Sequence, residues 1–282
     1  MQQPSFWSVE RDRDAVVATC PEPLRYASDN RPEWMARCAS ALRDELRLLP
    51  VEPRTLLEAT LIGAPPQGAH LDNVLLYNVG VPAAQMHPGV RLRRQVSGHS
   101  QGVVQRYRRV PIAVAEGEDD GALLARILVP LADGREVDNA REVWLAARRA
   151  VVAGLPAAAA APPGGIDLRL RVVAAADPRR GSVELVKKLL DGVIAAFHAY
   201  DGANLDEVVR RLSLELGEDP ERLRELALSP RGALLGAYDA FWLGPAGVQV
   251  SPADDRIHAA EVVFVSGAVA QLEIELRAMG AA

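Results

Sequence analysis

Hydrophobic side chains recur along the chain with two different periods, which predicts both helices and strands. The helical period is carried in the first half by Trp34, Cys38, Leu42, Leu46 and Leu49, and in the second half by Val143, Ala147, Val151 and Leu155. Pro50 and Pro156 end the two helices, because proline lacks the amide hydrogen that a helix needs. A strand follows each helix, at residues 55–62 and from residue 166 onward, where apolar and polar positions alternate in the second strand.

This order of elements occurs twice. When the sequence of the first half of the chain is aligned with that of the second half, Asp29–Asn30 is matched with Asp138–Asn139. Both pairs suit the N-cap of a helix. We therefore predict an α+β protein of two related halves, residues 1–135 and 136–282, each a small mixed sheet packed against one or two helices. The second half is longer, and its surplus is predicted to be a helical hairpin inserted at about residues 204–235, bounded by capping signals such as Gly217.

Composition excludes several classes of protein. With 49% hydrophobic and 24% charged residues the chain is typical of a globular protein, and its apolar runs are too short to span a membrane. Neither a secretory signal nor a multi-cysteine metal spacing is found, so we expect a cytoplasmic protein in which Cys20 and Cys38 are reduced thiols. The glycine-rich phosphate loops of nucleotide-binding proteins are missing as well, so no nucleotide cofactor is expected.

One stretch is strongly basic although the net charge is −5. Residues 73–115 contain no Asp or Glu, and they hold two strand-like segments that we expect to form a hairpin. The candidate nucleic-acid contacts in these segments are Arg91, Arg93, Arg106 and Arg108. Such a ribbon could lie along a phosphate backbone with Tyr107 available to stack. The alternative is an edge hairpin whose charges discourage pairing with another sheet.

A second candidate site lies on the helix predicted from Val183 to about Tyr200. Its apolar side suits packing across a sheet, and one polar sector about 60° wide at 100° per residue carries Glu184, Lys187, Asp191 and His198. This sector could hold a metal ion and stabilise charge on a phosphate. Alternatively, it is a solvated face with ion pairs between residues four positions apart.

The succession of strand, Asp-Asn turn, Lys-bearing helix, acidic pair and closing strands resembles the RusA-like Holliday-junction resolvases. The residues that carry the resemblance are Leu71-Asp72-Asn73, Lys187, Leu190-Asp191 and Asp254-Asp255, with strands at 259–265 and 271–278. The resemblance implies a small α+β fold that cleaves branched DNA with magnesium held by aspartates. It implies catalytic roles for Lys187, Asp191, Asp254 and Asp255, and metal binding by Asp72, Asp191 and Asp255.

The chain departs from the pattern of this family at several positions. Gly181 and Val183 stand where the second half should offer its first two aspartates, and His70 replaces one aspartate in the first half. We interpret His70, His87 and His99 as surface or capping residues rather than metal ligands. Two interpretations therefore remain: the halves pool their ligands into one composite site, or the protein kept the fold and lost cleavage.

These observations lead to two functional hypotheses. The first is a metal-dependent endonuclease of the RusA-like type that acts on branched or structured DNA and, if active, uses Mg²⁺. The second is a catalytically inactive, resolvase-derived module that binds nucleic acid or serves as a scaffold for a protein partner. No membrane association is expected for either hypothesis.

Overall fold

The computed structural model describes residues 6–25, 31–63, 70–95, 102–112, 122–130, 139–156, 166–174, 182–202, 204–245, 247–254, 256–266 and 270–278. These residues form helices, one large mixed sheet and two small sheets, which confirms the predicted α+β class. Within the described ranges, none of the helices has the length and apolar character needed to cross a membrane.

Helices and strands are interspersed along the described chain. The helices are α1 (Glu33–Arg47), α2 (Ala140–Gly154), α3 (Val183–Ala196), α4 (Leu205–Leu216) and α5 (Pro220–Leu228), with short helical turns at Asn73–Tyr77 and Ala83–Met86. The strands are β1 (Ser8–Arg11), β2 (Ala15–Cys20), β3 (Thr55–Ile62), β4 (Gly89–Gln95), β5 (Val103–Pro111), β6 (Leu123–Pro130), β7 (Ile166–Ala174), β8 (His198–Ala199), β9 (Gly236–Ala237), β10 (Phe241–Gly244), β11 (Gly247–Val250), β12 (Ile257–Ser266) and β13 (Gln271–Ala278).

Both predicted halves contribute to a single nine-stranded sheet with the order β1-β2-β5-β3-β4-β12-β7-β13-β6. The strand order β2-β5-β3-β4 in the first half corresponds to β6-β13-β7-β12 in the second half. In each half the central strand is parallel to its inner neighbour and antiparallel to its outer neighbour. β4 and β12 meet antiparallel in the middle, where Leu92 lies opposite Ala260. The halves thus share one topology, while their common origin stays a prediction.

The basic segments are strands β4 and β5, but they do not form the predicted hairpin. β3 lies between them, parallel to β4 and antiparallel to β5. The predicted pairing was wrong because β3 is buried along almost its whole length, and a strand of this kind is stable in the interior of a sheet, paired on both edges. Tyr107 does not offer a stacking surface, since it is fully buried and its hydroxyl donates to the Leu75 carbonyl at 2.8 Å.

The five helices α1 to α5 all pack on one face of the sheet. Apolar residues at alternate strand positions, such as Leu57 and Leu168, join one large core with the buried sides of the five helices. On the opposite face about half of the intervening positions are charged, and its small apolar cluster in the described chain is built from strand residues and the adjoining Ile112. We call this second face the open face, carried by β3, β4, β5, β6, β7, β12 and β13.

The predicted helical hairpin is confirmed as α4 and α5. Gly217 ends α4 with a φ of 70°, a left-handed conformation that glycine adopts without steric cost. The Asp219 side chain caps α5 by accepting from the Arg222 amide at 2.9 Å. The cap predicted at Asn139 is also confirmed, since it accepts from the Glu142 amide at 3.0 Å. The corresponding cap predicted at Asp29–Asn30 lies outside the described residues.

One buried arginine ties the inserted hairpin to the rest of the core. Arg148 of α2 is fully buried, and its guanidinium donates to the carbonyls of Ala196 and Leu226, both at 2.9 Å, and to that of Ser229. These carbonyls lie at the ends of α3 and α5, where the helices leave acceptors unsatisfied. Burial lowers the pKa of Arg148 to about 10, which still leaves it charged at neutral pH.

Replacing this arginine should be strongly destabilising. Arg148→Met removes the donor and leaves several buried carbonyls without a partner, so we expect a loss of at least about 3 kcal/mol in the free energy of unfolding. Arg149→Met is the matched control. It breaks a partly exposed ion pair with Glu218 and should cost under about 1 kcal/mol. Urea denaturation of both variants measures the difference, and equal losses would contradict the structural role of Arg148.

Candidate metal centre

Polar residues from both halves converge at the end of the sheet where β3 ends and β12 begins. His70 and Asp72 lie just before the helical turn Asn73–Tyr77, in the connection from β3 to β4. α3 contributes Lys187 and Asp191, and Asp254 lies between β11 and β12. The antiparallel pairing of β4 with β12 brings these segments to the same end of the sheet. The cluster is therefore composite, with ligand-type side chains from each half.

Three of these side chains are close enough to share a cation. The potential ligand atoms of His70, Asp72 and Asp254 all lie within 4.8 Å of one another. His70 Nδ1 lies 3.2 Å from Asp254 Oδ1, and the Leu71 amide donates to Asp254 Oδ2 at 3.3 Å. Both aspartates are buried. The arrangement can hold a divalent cation, because buried carboxylates are stable only when a cation or hydrogen bonds compensate their charge.

Lys187 lies between two carboxylates of the cluster. Its Nζ lies 3.1 Å from Asp72 Oδ2 and 3.0 Å from Asp191 Oδ2. Asp191 is buried one helical turn further along α3, whereas the Lys187 side chain is partly exposed. The ammonium group therefore lies between two carboxylates and supplies part of the positive charge that the cluster needs.

The electrostatics of the cluster shift three ionisable groups. The hydrogen bond to Asp254 raises the pKa of His70, in opposition to burial, and the negative charge of Asp72 adds to the effect. Burial raises the pKa of Asp191 to about 6, although the charge of Lys187 opposes the shift. Burial would lower the pKa of Lys187, but the adjacent aspartates raise it above its ordinary value. Asp191 can therefore exchange a proton near neutral pH, a property typical of catalytic groups.

Two contacts position the elements that carry these residues. α3 approaches α2 closely at Gly192, where a Cβ atom would lie 2.5 Å from the Val143 Cβ. A larger residue next to Asp191 would therefore push α3 away from α2. On the other side, His198 Nε2 lies 3.1 Å from the carbonyl of Ala253. Since carbonyls only accept, Nε2 is the donor, and this bond holds the segment that ends in Asp254.

Several of the residues predicted from the sequence meet in this cluster. The structure brings together Asp72, Lys187, Asp191 and Asp254, whereas Asp255 lies outside the described residues. His198 was predicted to share a helical stripe with Lys187. The helix ends earlier, at Ala196, and His198 reaches the cluster indirectly through Ala253.

His70 was set aside as a surface or capping residue, yet it is a member of the cluster. Two signals in the sequence pointed to it: its spacing of two residues from Asp72, and its place at a position where the RusA-like pattern has an aspartate. The first signal is weak, because an isolated histidine beside an aspartate is common.

The basic residues lie elsewhere, on the open face. Arg91 is buried and pairs with Glu261 at 2.9 Å. Arg93 and Arg108 both approach Glu58, and Arg106 is exposed. The arginines thus belong to a surface distinct from the acidic cluster, and their role in nucleic-acid binding stays a prediction.

Comparison with known proteins identifies no relative: no family model, no curated protein and no solved structure matches this chain. The resemblance to RusA-like resolvases is therefore neither supported nor contradicted by a homologue. Any functional conclusion depends on the geometry of the site itself.

The hydrogen bond between His70 and Asp254 predicts a pH-dependent contribution to stability. A raised pKa of His70 in the folded state means that this contribution is full below its ordinary pKa of 6.5 and is lost as pH rises through the folded value. In EDTA, Asp254→Asn should therefore lose more stability at pH 5.5 than at pH 8.5, with a slope of at most about 1.4 kcal/mol per pH unit.

NMR titration of the His70 ring measures the pKa directly, and it should fall in Asp254→Asn. Asp206→Asn, at an exposed position on α4, is the control and should leave the titration unchanged. A His70 pKa that is the same in the wild type and Asp254→Asn would refute the coupling.

Proposed function

We propose that the protein is a divalent-metal-dependent endonuclease of the RusA-like type that acts on branched or structured DNA. The observation that carries the proposal is the convergence of Asp72 from the first half with Lys187, Asp191 and Asp254 from the second half. The second half lacks carboxylates at Gly181 and Val183, and Asp72 supplies one from the other half. This arrangement favours the composite site over two incomplete ones.

The donor atoms of the cluster fit a divalent cation. Asp72 and Asp254 offer carboxylate oxygens, which Mg²⁺ prefers, and their small number is typical of Mg²⁺ sites that keep several waters. The imidazole of His70 also suits Mn²⁺ and Zn²⁺. We propose Mg²⁺ as the physiological ion, with Mn²⁺ as a substitute. Asp191 is held by Lys187 and stays outside the ligand set in this proposal, although the resemblance implied that it binds the metal.

The chain's own residues have separate roles in this proposal. Asp72 and Asp254 would hold the cation, which would lower the pKa of a bound water and offset charge on the phosphate. Lys187 is partly exposed and can stabilise negative charge on the phosphate oxygens in the transition state. Asp191, with a pKa of about 6, can accept a proton from the attacking water. His198 positions Asp254 through the Ala253 carbonyl.

Cleavage of a synthetic four-way junction with Mg²⁺ or Mn²⁺ is the direct test. Asp72→Asn, Asp191→Asn, Asp254→Asn and Asp255→Asn should each lower the cleavage rate at least about 100-fold, since each removes a proposed ligand or catalytic group. Asp206→Asn is the control and should keep full activity, because Asp206 pairs with Arg224 at an exposed position. Failure to cleave any branched substrate with either ion would refute the enzymatic proposal.

A second candidate is the catalytically inactive module that binds DNA or a protein partner. The observation that favours it is the position of Lys187, whose ammonium lies between Asp72 and Asp191. A lysine there compensates the two carboxylates without a metal ion. Val183, the first residue of α3, has an apolar side chain and offers no further carboxylate for a metal ion. In this alternative the cluster stabilises the joint between the halves.

Lys187→Gln distinguishes the two candidates. In the enzyme, the variant should lose cleavage because the charge on the phosphate is no longer stabilised. In the inactive module, the wild type does not cleave, and the variant should bind Mn²⁺ at least about tenfold more tightly because two carboxylates are released. Isothermal titration with Mn²⁺ measures the affinity. An unchanged affinity together with an inactive wild type would contradict the idea that Lys187 replaces a metal ion.

A further inference from the structure

The open face of the sheet carries an unusual number of arginines. Strand register places eight arginines and five acids on this face, in a chain whose net charge is −5. The arginines are Arg91, Arg93, Arg106, Arg108, Arg126, Arg169, Arg171 and Arg277, and the acids are Glu58, Asp167, Glu261, Glu273 and Glu275. Both halves contribute, so the charged surface crosses the joint between β4 and β12.

The acidic and basic side chains of the open face differ in how deeply they lie below the protein surface. The Glu58 side chain is 3% exposed and that of Glu275 is 14% exposed. Above them, the side chains of Arg108, Arg171 and Arg126 are 47%, 58% and 73% exposed. Glu58 and Glu275 therefore form a buried floor, and Arg108, Arg126 and Arg171 form the outer layer that solvent meets. Arg277 and Glu273 lie between these two layers, at 23% and 32% exposed.

The floor also fixes the positions of the arginines. Glu58 lies 2.6 Å from Arg108 and 3.7 Å from Arg93, and Glu275 lies 2.6 Å from Arg277 and 3.2 Å from Arg126. Each of these two acids therefore holds at least two guanidinium groups in place. A guanidinium has five donors, so the exposed Arg108 and Arg126 can present some of them to a partner.

The shape of this surface suits an extended partner. Over the second half it forms a groove of about 410 Å³, with Arg126, Arg169, Arg171 and Arg277 among its lining residues. A smaller pocket of about 40 Å³, bordered by Arg91, Arg93 and Arg169, continues across the joint between the halves. Seven strands about 4.8 Å apart span roughly 29 Å, which is comparable to the length of one duplex turn, about 34 Å.

We propose that the open face docks the sugar–phosphate backbone of duplex DNA. The argument is charge complementarity: a preorganised layer of arginines faces outward, guanidinium groups bind phosphates through two parallel hydrogen bonds, and a DNA backbone presents phosphates at regular spacing. Arg91 is not a contact in this proposal. Its side chain is 7% exposed, and it joins Glu58 to Glu261 beneath the surface.

This docking surface extends the function proposed above. It rests on that function only for the class of substrate, which is branched DNA. The acidic cluster lies at one end of the sheet on the helix-covered side, whereas the arginines lie on the open face. A branched DNA has arms that leave in different directions. One arm can rest on the open face while a strand near the branch reaches the cluster. A single straight duplex is less able to contact both regions at once.

Fluorescence anisotropy in EDTA with a labelled duplex and a labelled four-way junction separates binding from cleavage. The triple variant Arg106→Gln, Arg126→Gln, Arg171→Gln should bind both DNAs at least about tenfold more weakly. Its plot of log affinity against log salt should be less steep by about 0.9 for each phosphate that the variant no longer neutralises. Glu273→Gln should instead bind a few-fold more tightly, because it removes a negative charge whose side chain is 32% exposed.

The matched control is Arg37→Gln, Arg210→Gln, Arg222→Gln, which removes the same charge from exposed helical positions. It should bind within about twofold of the wild type, and urea denaturation should show that all variants are folded. Equal losses of affinity in both triple variants, no DNA binding by the wild type, or tighter binding of polyglutamate than of DNA would overturn the proposal. Because the binding assay in EDTA does not depend on cleavage, salt-dependent DNA binding together with a failed nuclease assay would refute the enzymatic proposal and support the docking surface.

Discussion

The antiparallel pairing of β4 with β12 is the constraint on which the rest of the structure depends. It joins two four-stranded arrangements of the same topology into one sheet, and it carries the nearly buried ion pair of Arg91 with Glu261. Loss of one partner of a buried pair leaves an uncompensated charge, so a shifted register would be costly. This fixed register places the segment with His70 and Asp72 opposite Asp254 and α3. The acidic cluster forms only because of this placement.

The cluster shows how neighbouring donors compensate buried negative charge. Asp72, Asp191 and Asp254 are all buried, and isolated carboxylates in such surroundings would be strongly destabilising. Lys187 compensates Asp72 and Asp191, and His70 together with the Leu71 amide compensates Asp254. A cation that binds here must therefore displace or supplement partners that already stabilise the fold. The same interactions serve stability in the inactive module and would tune affinity in the enzyme.

The sequence predicted features that depend on local signals. Strand β3, the hairpin of α4 and α5, and the cap at Asn139 were predicted from periodicity, glycine and capping residues. The order of strands was not predictable in this way, because the insertion of β3 between β4 and β5 is decided by long-range burial. In the site, Asp72, Lys187, Asp191 and Asp254 were candidates through a family resemblance. Their contacts, and the membership of His70, depend on how the two halves are joined.

The acidic cluster and the open face are built in a similar way: in each, partly exposed basic side chains lie against buried acidic ones. In the cluster, a partly exposed lysine lies against buried carboxylates; on the open face, exposed arginines lie over buried glutamates. In both, the compensating partner fixes the geometry of the group that faces a ligand, so less order has to be gained on binding. Side chains alternate between the faces of a strand. Substitutions on the open face therefore leave the core beneath the cluster unchanged, and the two charged regions can be altered independently.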